Sequence, residues 1–206
     1  MGGDFLHWLE LTGVAVFALT GALAAARQRL DIFGFALVAS VTGIGGGTLR
    51  DLLLDIAPVF WIDAPVNIGI CVAVASAAFF LARHIARGER AILWADALGM
   101  ALFCVLGAER ALDHGAGAMV AVMMGVMTAT FGGIVRDVLC AQVPLILRQE
   151  IYATAAAAGA GLYVLLVFVG VPETPSLIAG FAAAFATRGA ALAFGWSLPA
   201  HRGLEK

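Results

Sequence analysis

The segment Gly45-Gly46-Gly47-Thr48-Leu49-Arg50-Asp51 returns as Phe131-Gly132-Gly133-Ile134-Val135-Arg136-Asp137, each time inside a long apolar stretch. Charge at membrane depth is costly and usually functional, so a chain that buries an arginine and an aspartate twice has few folds open to it. The shift from Arg50 to Arg136 is 86 residues, and it holds without a gap well outside the motif. Trp8 matches Trp94, Glu10 matches Asp96, and Gly13, Phe17 and Gly21 match Gly99, Phe103 and Gly107; Thr42 matches Thr128 and Pro58 matches Pro144. The chain is a duplicated membrane unit.

Composition agrees: 62% of the 206 residues are hydrophobic and only 13% charged, where a soluble domain carries about 25% charge. A net charge of −2 leaves no basic face for nucleic acid. A hydrocarbon core of about 30 Å needs about 20 helical residues. Apolar runs between polar breaks give seven segments, at about 5–26, 32–57, 65–83, 91–112, 116–142, 151–170 and 175–196. They are too long, and not alternating enough, for barrel strands. The expected fold is therefore an all-α membrane protein of seven transmembrane helices. Residues 1–90 form a first three-helix repeat and 91–172 a second, with the seventh helix and a cytoplasmic tail in 173–206. An odd number of helices per repeat inverts the second copy relative to the first.

Met1-Gly2-Gly3-Asp4 lacks the positive region of a secretory signal, so the first helix is expected to stay as an anchor. Arg27, Arg29, Arg83, Arg87, Arg90, Arg148, Arg202 and Lys206 collect on one side and only Arg110 on the other. This bias predicts a cytoplasmic C-terminus and an outside N-terminus. Arg188 is expected to snorkel from the last helix to the cytoplasmic interface. Cys71, Cys104 and Cys140 lie in apolar runs and read as small buried hydrophobes. His7, His84, His114 and His201 have no ligand spacing, so no metal site is expected.

The chemistry concentrates in the second and fifth segments. Glycines 45–47, with Gly43 just before, weaken a helix by about 1 kcal/mol each relative to alanine, which predicts a kink or a short unwound turn. Carbonyls freed there, with the hydroxyls of Thr42, Thr48, Thr128 and Thr130, are hard ligands suited to an alkali cation. Arg50 shares a helical face with Gly46 and Gly47, and Arg136 with Gly132 and Gly133, whereas Asp51 and Asp137 point about 100° away and are expected to pair across helices. Glu10 and Asp96 are further candidates, either lining the pathway or anchoring at the interface. The glycines serve either a pathway or close small-residue packing, and the arginines either line that pathway or lock the fold. The run is no nucleotide loop, because it lacks Gly-Lys-Ser/Thr and no strand precedes it.

At Gly46-Gly47-Thr48-Leu49-Arg50-Asp51 and Gly132-Gly133-Ile134-Val135-Arg136-Asp137 the sequence resembles bacterial members of the trimeric intracellular cation (TRIC) channel family, related to the "glycine transporter" domain family. The ending around Arg188, with Gly195-Trp196-Ser197-Leu198-Pro199, is similar too. The resemblance implies two inverted three-helix bundles plus one helix, a homotrimer, and in each protomer a separate potassium-preferring pore lined by kinked second and fifth helices. It implies no covalent chemistry and no cofactor beyond potassium as the permeant ion, with membrane lipid as a candidate ligand. Animal relatives hold lipid through a lysine motif, and this chain has no lysine before Lys206. A bacterial chain of this kind is expected in the plasma membrane. Two other classes fit the residues: a secondary transporter of a small amino acid such as glycine, and a non-conducting, lipid-binding assembly.

Overall fold

The computed structural model describes residues 2–85 and 89–199. Arg87, His201, Arg202 and Lys206, which enter the orientation and metal arguments above, lie outside the described residues. The described residues form α1 (Gly2–Arg27), α2 (Ile32–Leu53), α3 (Phe60–Asp63), α4 (Val66–Ile85), α5 (Glu89–Asp113), α6 (Ala118–Leu139), a 3-10 turn (Leu145–Leu147), α7 (Ala153–Phe168) and α8 (Glu173–Phe194). Five of the helices, α1, α2, α5, α6 and α8, are long and apolar enough to cross a membrane; Val66–Leu81 and Ala153–Phe168 are shorter apolar helices. The fifth predicted segment is α6, because the short α3 takes a number.

Local chemistry sets the ends. Asp31 caps α2 by accepting the N–H of Gly34 at 2.8 Å, meeting one of the donors a helix start leaves unpaired. Gly195, at φ 69°, closes α8 in the left-handed conformation that a residue without Cβ adopts most readily. The duplication reaches into the turns. After α2, the N–H of Ile56 bonds the carbonyl of Asp51 at 2.8 Å around left-handed Asp55; after α6, the N–H of Gln142 bonds the carbonyl of Asp137 at 2.8 Å around left-handed Ala141.

Packing around the centre is reciprocal. A Cβ on Gly46 would collide with the carbonyl of Thr128, and a Cβ on Gly132 with the carbonyl of Thr42. Carried along the chain by the repeat shift, each contact becomes the other, which is the signature of a two-fold axis. The partner's number falls as the residue's number rises, so α2 and α6 run antiparallel and the axis crosses them. The same relation joins α1 to α5. Gly13 lies against the ring of Phe103, Gly99 against the ring of Phe17, and the two rings pack at 5.2 Å between centroids. The two halves are thus inverted copies. Helix α8 falls outside this symmetry, and its principal contacts are with α5 and α7 of the second half.

The helical ladder of α2 and α6 continues unbroken through both glycine runs, so the expected unwound turn is absent. Its carbonyls are not freed either. Thr42, Thr48, Thr128 and Thr130 each donate their hydroxyl to the carbonyl four residues earlier, at 2.6–2.9 Å. The physical reason is the crossing: two antiparallel helices without side chains at their contact gain more from close backbone packing than either would from unwinding.

Candidate functional site

At the end of α2, Arg50 is 3% exposed and Asp51 is fully buried. The Arg50 Nε and Nη2 lie 2.8 and 2.7 Å from Asp51 Oδ1, and Nη2 lies 3.8 Å from Glu10 Oε1 on α1. The guanidinium also sits 5.6 Å from the centroid of the Phe60 ring. At the end of α6 the arrangement returns. Arg136 Nε donates to Asp137 Oδ1 at 2.8 Å, and its Nη1 donates to Asp96 Oδ1 on α5 at 2.6 Å and to Thr20 Oγ1 on α1 at 3.1 Å. The second carboxylate oxygens hold backbone: Asp51 Oδ2 accepts the N–H of Phe60 at 2.8 Å, and Asp137 Oδ2 that of Leu145 at 3.1 Å. Each aspartate therefore neutralises an arginine and fixes the start of the short element that follows its helix.

This corrects one expectation and extends another. Adjacent residues on a helix do not normally face each other, yet each arginine pairs with the aspartate next to it. The long guanidinium stem folds back at the helix end, where apolar surroundings make the nearest carboxylate the strongest partner. Pairing across helices also occurs, but through Glu10 and Asp96. Asp96 is fully buried rather than interfacial, whereas the side chain of Glu10 keeps 26% exposure. Each cluster holds one guanidinium and two carboxylates, a formal charge of −1.

Among the other predicted residues, Thr42, Gly46, Gly47, Thr128, Thr130, Gly132 and Gly133 are buried, and Gly45 and Thr48 are half-buried. Gly47 makes room for the Phe60 ring, and Thr48 Oγ1 accepts the indole N–H of Trp61 at 2.9 Å. Arg188 does not snorkel. It is 1% exposed, and its Nη2 lies 2.5 Å from Glu150 Oε2, because a carboxylate and a carbonyl within reach outcompete a distant interface. Thr20, Phe60, Glu150 and Tyr152 carried no signal in the sequence: positions 106 and 66, the repeat partners of Thr20 and Tyr152, are leucine and valine, and Phe60 and Glu150 are single residues in connecting segments.

Two cavities flank the α2–α6 crossing. One, of about 290 Å³, is lined by His7, Glu10, Arg50, Asp63, Glu109 and Arg110 among others. The other, of about 230 Å³, is lined by Arg27, Gln28, Arg136, Asp137, Cys140 and Arg148 among others. Each has space for several waters and ends on one arginine cluster. Among the described residues no group of three His, Cys, Asp or Glu side chains is placed to hold a metal.

Thr20 offers a simple test of the second cluster. Thr20→Val keeps the shape but leaves one buried N–H of Arg136 short of an acceptor, and should cost about 1–2 kcal/mol, read as a lower melting midpoint in micelles.

Two inverted helical copies, each burying a carboxylate-rich arginine cluster, define an all-helical membrane protein built by duplication. The family model described as "Glycine transporter" matches residues 7–83 and again 93–167, in the register of the repeat. The chain belongs to this family. It is 43% identical over 155 residues to the UPF0126 inner membrane protein YadS of Escherichia coli (strain K12), covering 75% of each. Among solved structures it is similar to the TRIC trimeric intracellular cation channel orthologue from Rhodobacter sphaeroides, with a TM-score of 0.89 and 49% identity over 93% of this chain and 99% of that one. A second structure, of a TRIC cation channel studied for its conductance, aligns with a TM-score of 0.89 at 30% identity, over 97% and 98% of the two chains.

Proposed function

We propose that this protein is a potassium-preferring monovalent cation channel of the plasma membrane, with one pathway per protomer in a homotrimer. The pathway runs between the two cavities, past the glycine and threonine positions of α2 and α6, with seven helices crossing the bilayer. One observation carries the reading. Arg50 and Arg136, the arginines nearest the crossing, are each outnumbered by the carboxylates they pair with, Asp51 with Glu10 and Asp96 with Asp137. An unpaired arginine would repel cations; a cluster of formal charge −1 attracts them. The solved neighbour from Rhodobacter sphaeroides, a trimeric intracellular cation channel, supports the same class.

In the closely packed state described above the crossing is shut. Opening separates α2 from α6 by the width of an ion, letting the Thr42 and Thr128 hydroxyls and nearby carbonyls replace hydration water. The arginines gate by exchanging carboxylate partners, and no covalent step or resident cofactor takes part. The Arg136 side carries Arg27, Arg29, Arg90 and Arg148, and by the positive-inside rule it faces the cytoplasm, with the N-terminus outside.

The test is planar-bilayer recording of purified protein under a potassium gradient. Unitary currents reversing near the potassium equilibrium potential are expected. Electrical silence together with saturable glycine uptake into liposomes would replace the channel by a transporter; silence in both would leave a non-conducting assembly.

A further inference from the structure

The two arginine clusters are related by symmetry but are not equally tight. Arg136 reaches Asp96 at 2.6 Å, whereas Arg50 stands 3.8 Å from the equivalent Glu10. What packs behind each cluster also differs. Behind Arg136 stands Tyr152, 1% exposed, whose hydroxyl lies 3.5 Å from the carbonyl of Ala129. That hydroxyl, Arg136 Nη2 and Asp96 Oδ1 all fall 3.5–3.8 Å from the point where Gly133 would carry a Cβ. The tyrosine thus closes the space into which the Arg136–Asp96 pair would relax. The same position in the first repeat is Val66, which is 49% exposed and gives Arg50 no such backing.

Tyr152 is in turn held by α8, the helix with no counterpart in the repeat. The Arg188 guanidinium carbon sits 5.2 Å from the centroid of the Tyr152 ring, Nη1 donates to the carbonyl of Ile151 at 3.3 Å, and Nη2 pairs with Glu150. Past Gly195 the chain returns to the same loop: Ser197 bridges Glu150, and the N–H of Leu198 donates to the carbonyl of Gln149 at 3.0 Å. The clamp therefore grips residues 149–152 from two directions, directly after Arg148 of the cavity wall.

We infer that Arg188 is a positioning residue that, through Tyr152, holds the Arg136–Asp96 gate shut, so that α8 makes one end of a symmetric pathway the tighter gate. The inference rests on the pathway proposed above, but its test does not need current. Cys140 lines the cavity beside Arg136 and is 4% exposed, so its rate of modification by a charged methanethiosulfonate, located by mass spectrometry in proteoliposomes, reports opening of that cavity. Arg188→Lys keeps the charge beside Glu150 but loses the planar fork and the stacking on Tyr152; Tyr152→Phe removes one oxygen and leaves the fold intact. Each should speed Cys140 modification about threefold, since one long hydrogen bond or one ring contact is taken from the closed state, and should raise open probability. Val66→Ala should leave both unchanged. Unaltered Cys140 modification in folded Arg188→Lys and Tyr152→Phe trimers, or equal acceleration by Val66→Ala, would overturn the clamp. If modification accelerates while neither wild type nor variants pass current, the clamp stands and the conduction reading falls.

Discussion

Arg136→Gln will lower stability by about 3–5 kcal/mol, the usual cost of removing one member of a buried ion pair. The guanidinium touches Asp96, Asp137 and Thr20 at 2.6–3.1 Å with 2% of its surface exposed. Glutamine leaves two carboxylates at membrane depth with no cation between them. Most of the cost is that residual charge, so adding Asp96→Asn to the variant should recover part of it; in an additive system the second substitution would only make matters worse. Arg50→Gln should cost less, because the Glu10 side chain is 26% exposed and can take up water when its weak partner is lost. Melting midpoints in micelles, with oligomer retention by size, order the variants. A double variant less stable than Arg136→Gln would show that Asp96 is held by something other than its arginine.

The larger features of this architecture are written in the sequence because they obey periods. The shift that matches Arg50 to Arg136 also matches Asp55 to Ala141 in the turns and Thr42 to Thr128 at the crossing, so inversion follows from counting helices. The carboxylate partners Glu10 and Asp96 are legible for the same reason: a charge that recurs at equal depth in both copies has a symmetric job. What does not recur is hidden. Tyr152 and Glu150 have no counterparts in the first repeat, and α8 breaks the symmetry from outside it. The pairing of Arg50 with Asp51 was hidden for another reason, since helical geometry separates neighbours and only a long, flexible side chain at a helix end can return to the next residue.

Glycine was the least legible element, because one composition serves two opposite purposes. Gly45–Gly47 weakens an isolated helix, yet the same absence of side chains lets a second helix come so close that the ladder is held straight. The deciding observation is the neighbour: the carbonyl of Thr128 rather than water or empty space. Single sequences do not print neighbours. Duplication comes nearest, since Gly46 with Gly132 and Thr42 with Thr128 are the pairs preserved at the shift.

Gly46→Ala and Gly132→Ala will each destabilise the protein by about 1–3 kcal/mol, the range for forcing a methylene into a packed interior. In both, the new methyl group meets a backbone carbonyl, Thr128 in one case and Thr42 in the other, which cannot rotate away as a side chain would. The helices must therefore separate, and one separation makes room for both methyl groups. The double variant should then cost clearly less than the sum of the two, a coupling expected only where two sites share a single contact. Gly45→Ala meets nothing nearer than the Gly132 Cα at 3.7 Å, and Gly69→Ala meets nothing within 4 Å; both should be near neutral, with Gly69→Ala gaining up to about 1 kcal/mol in helix propensity. Because the crossing is also the shut point of the proposed pathway, Gly46→Ala and Gly132→Ala should raise open probability while lowering the melting midpoint. Gly46→Ala and Gly69→Ala with the same melting midpoint would mean that α2 and α6 are not in backbone contact, and the closed state would need another barrier.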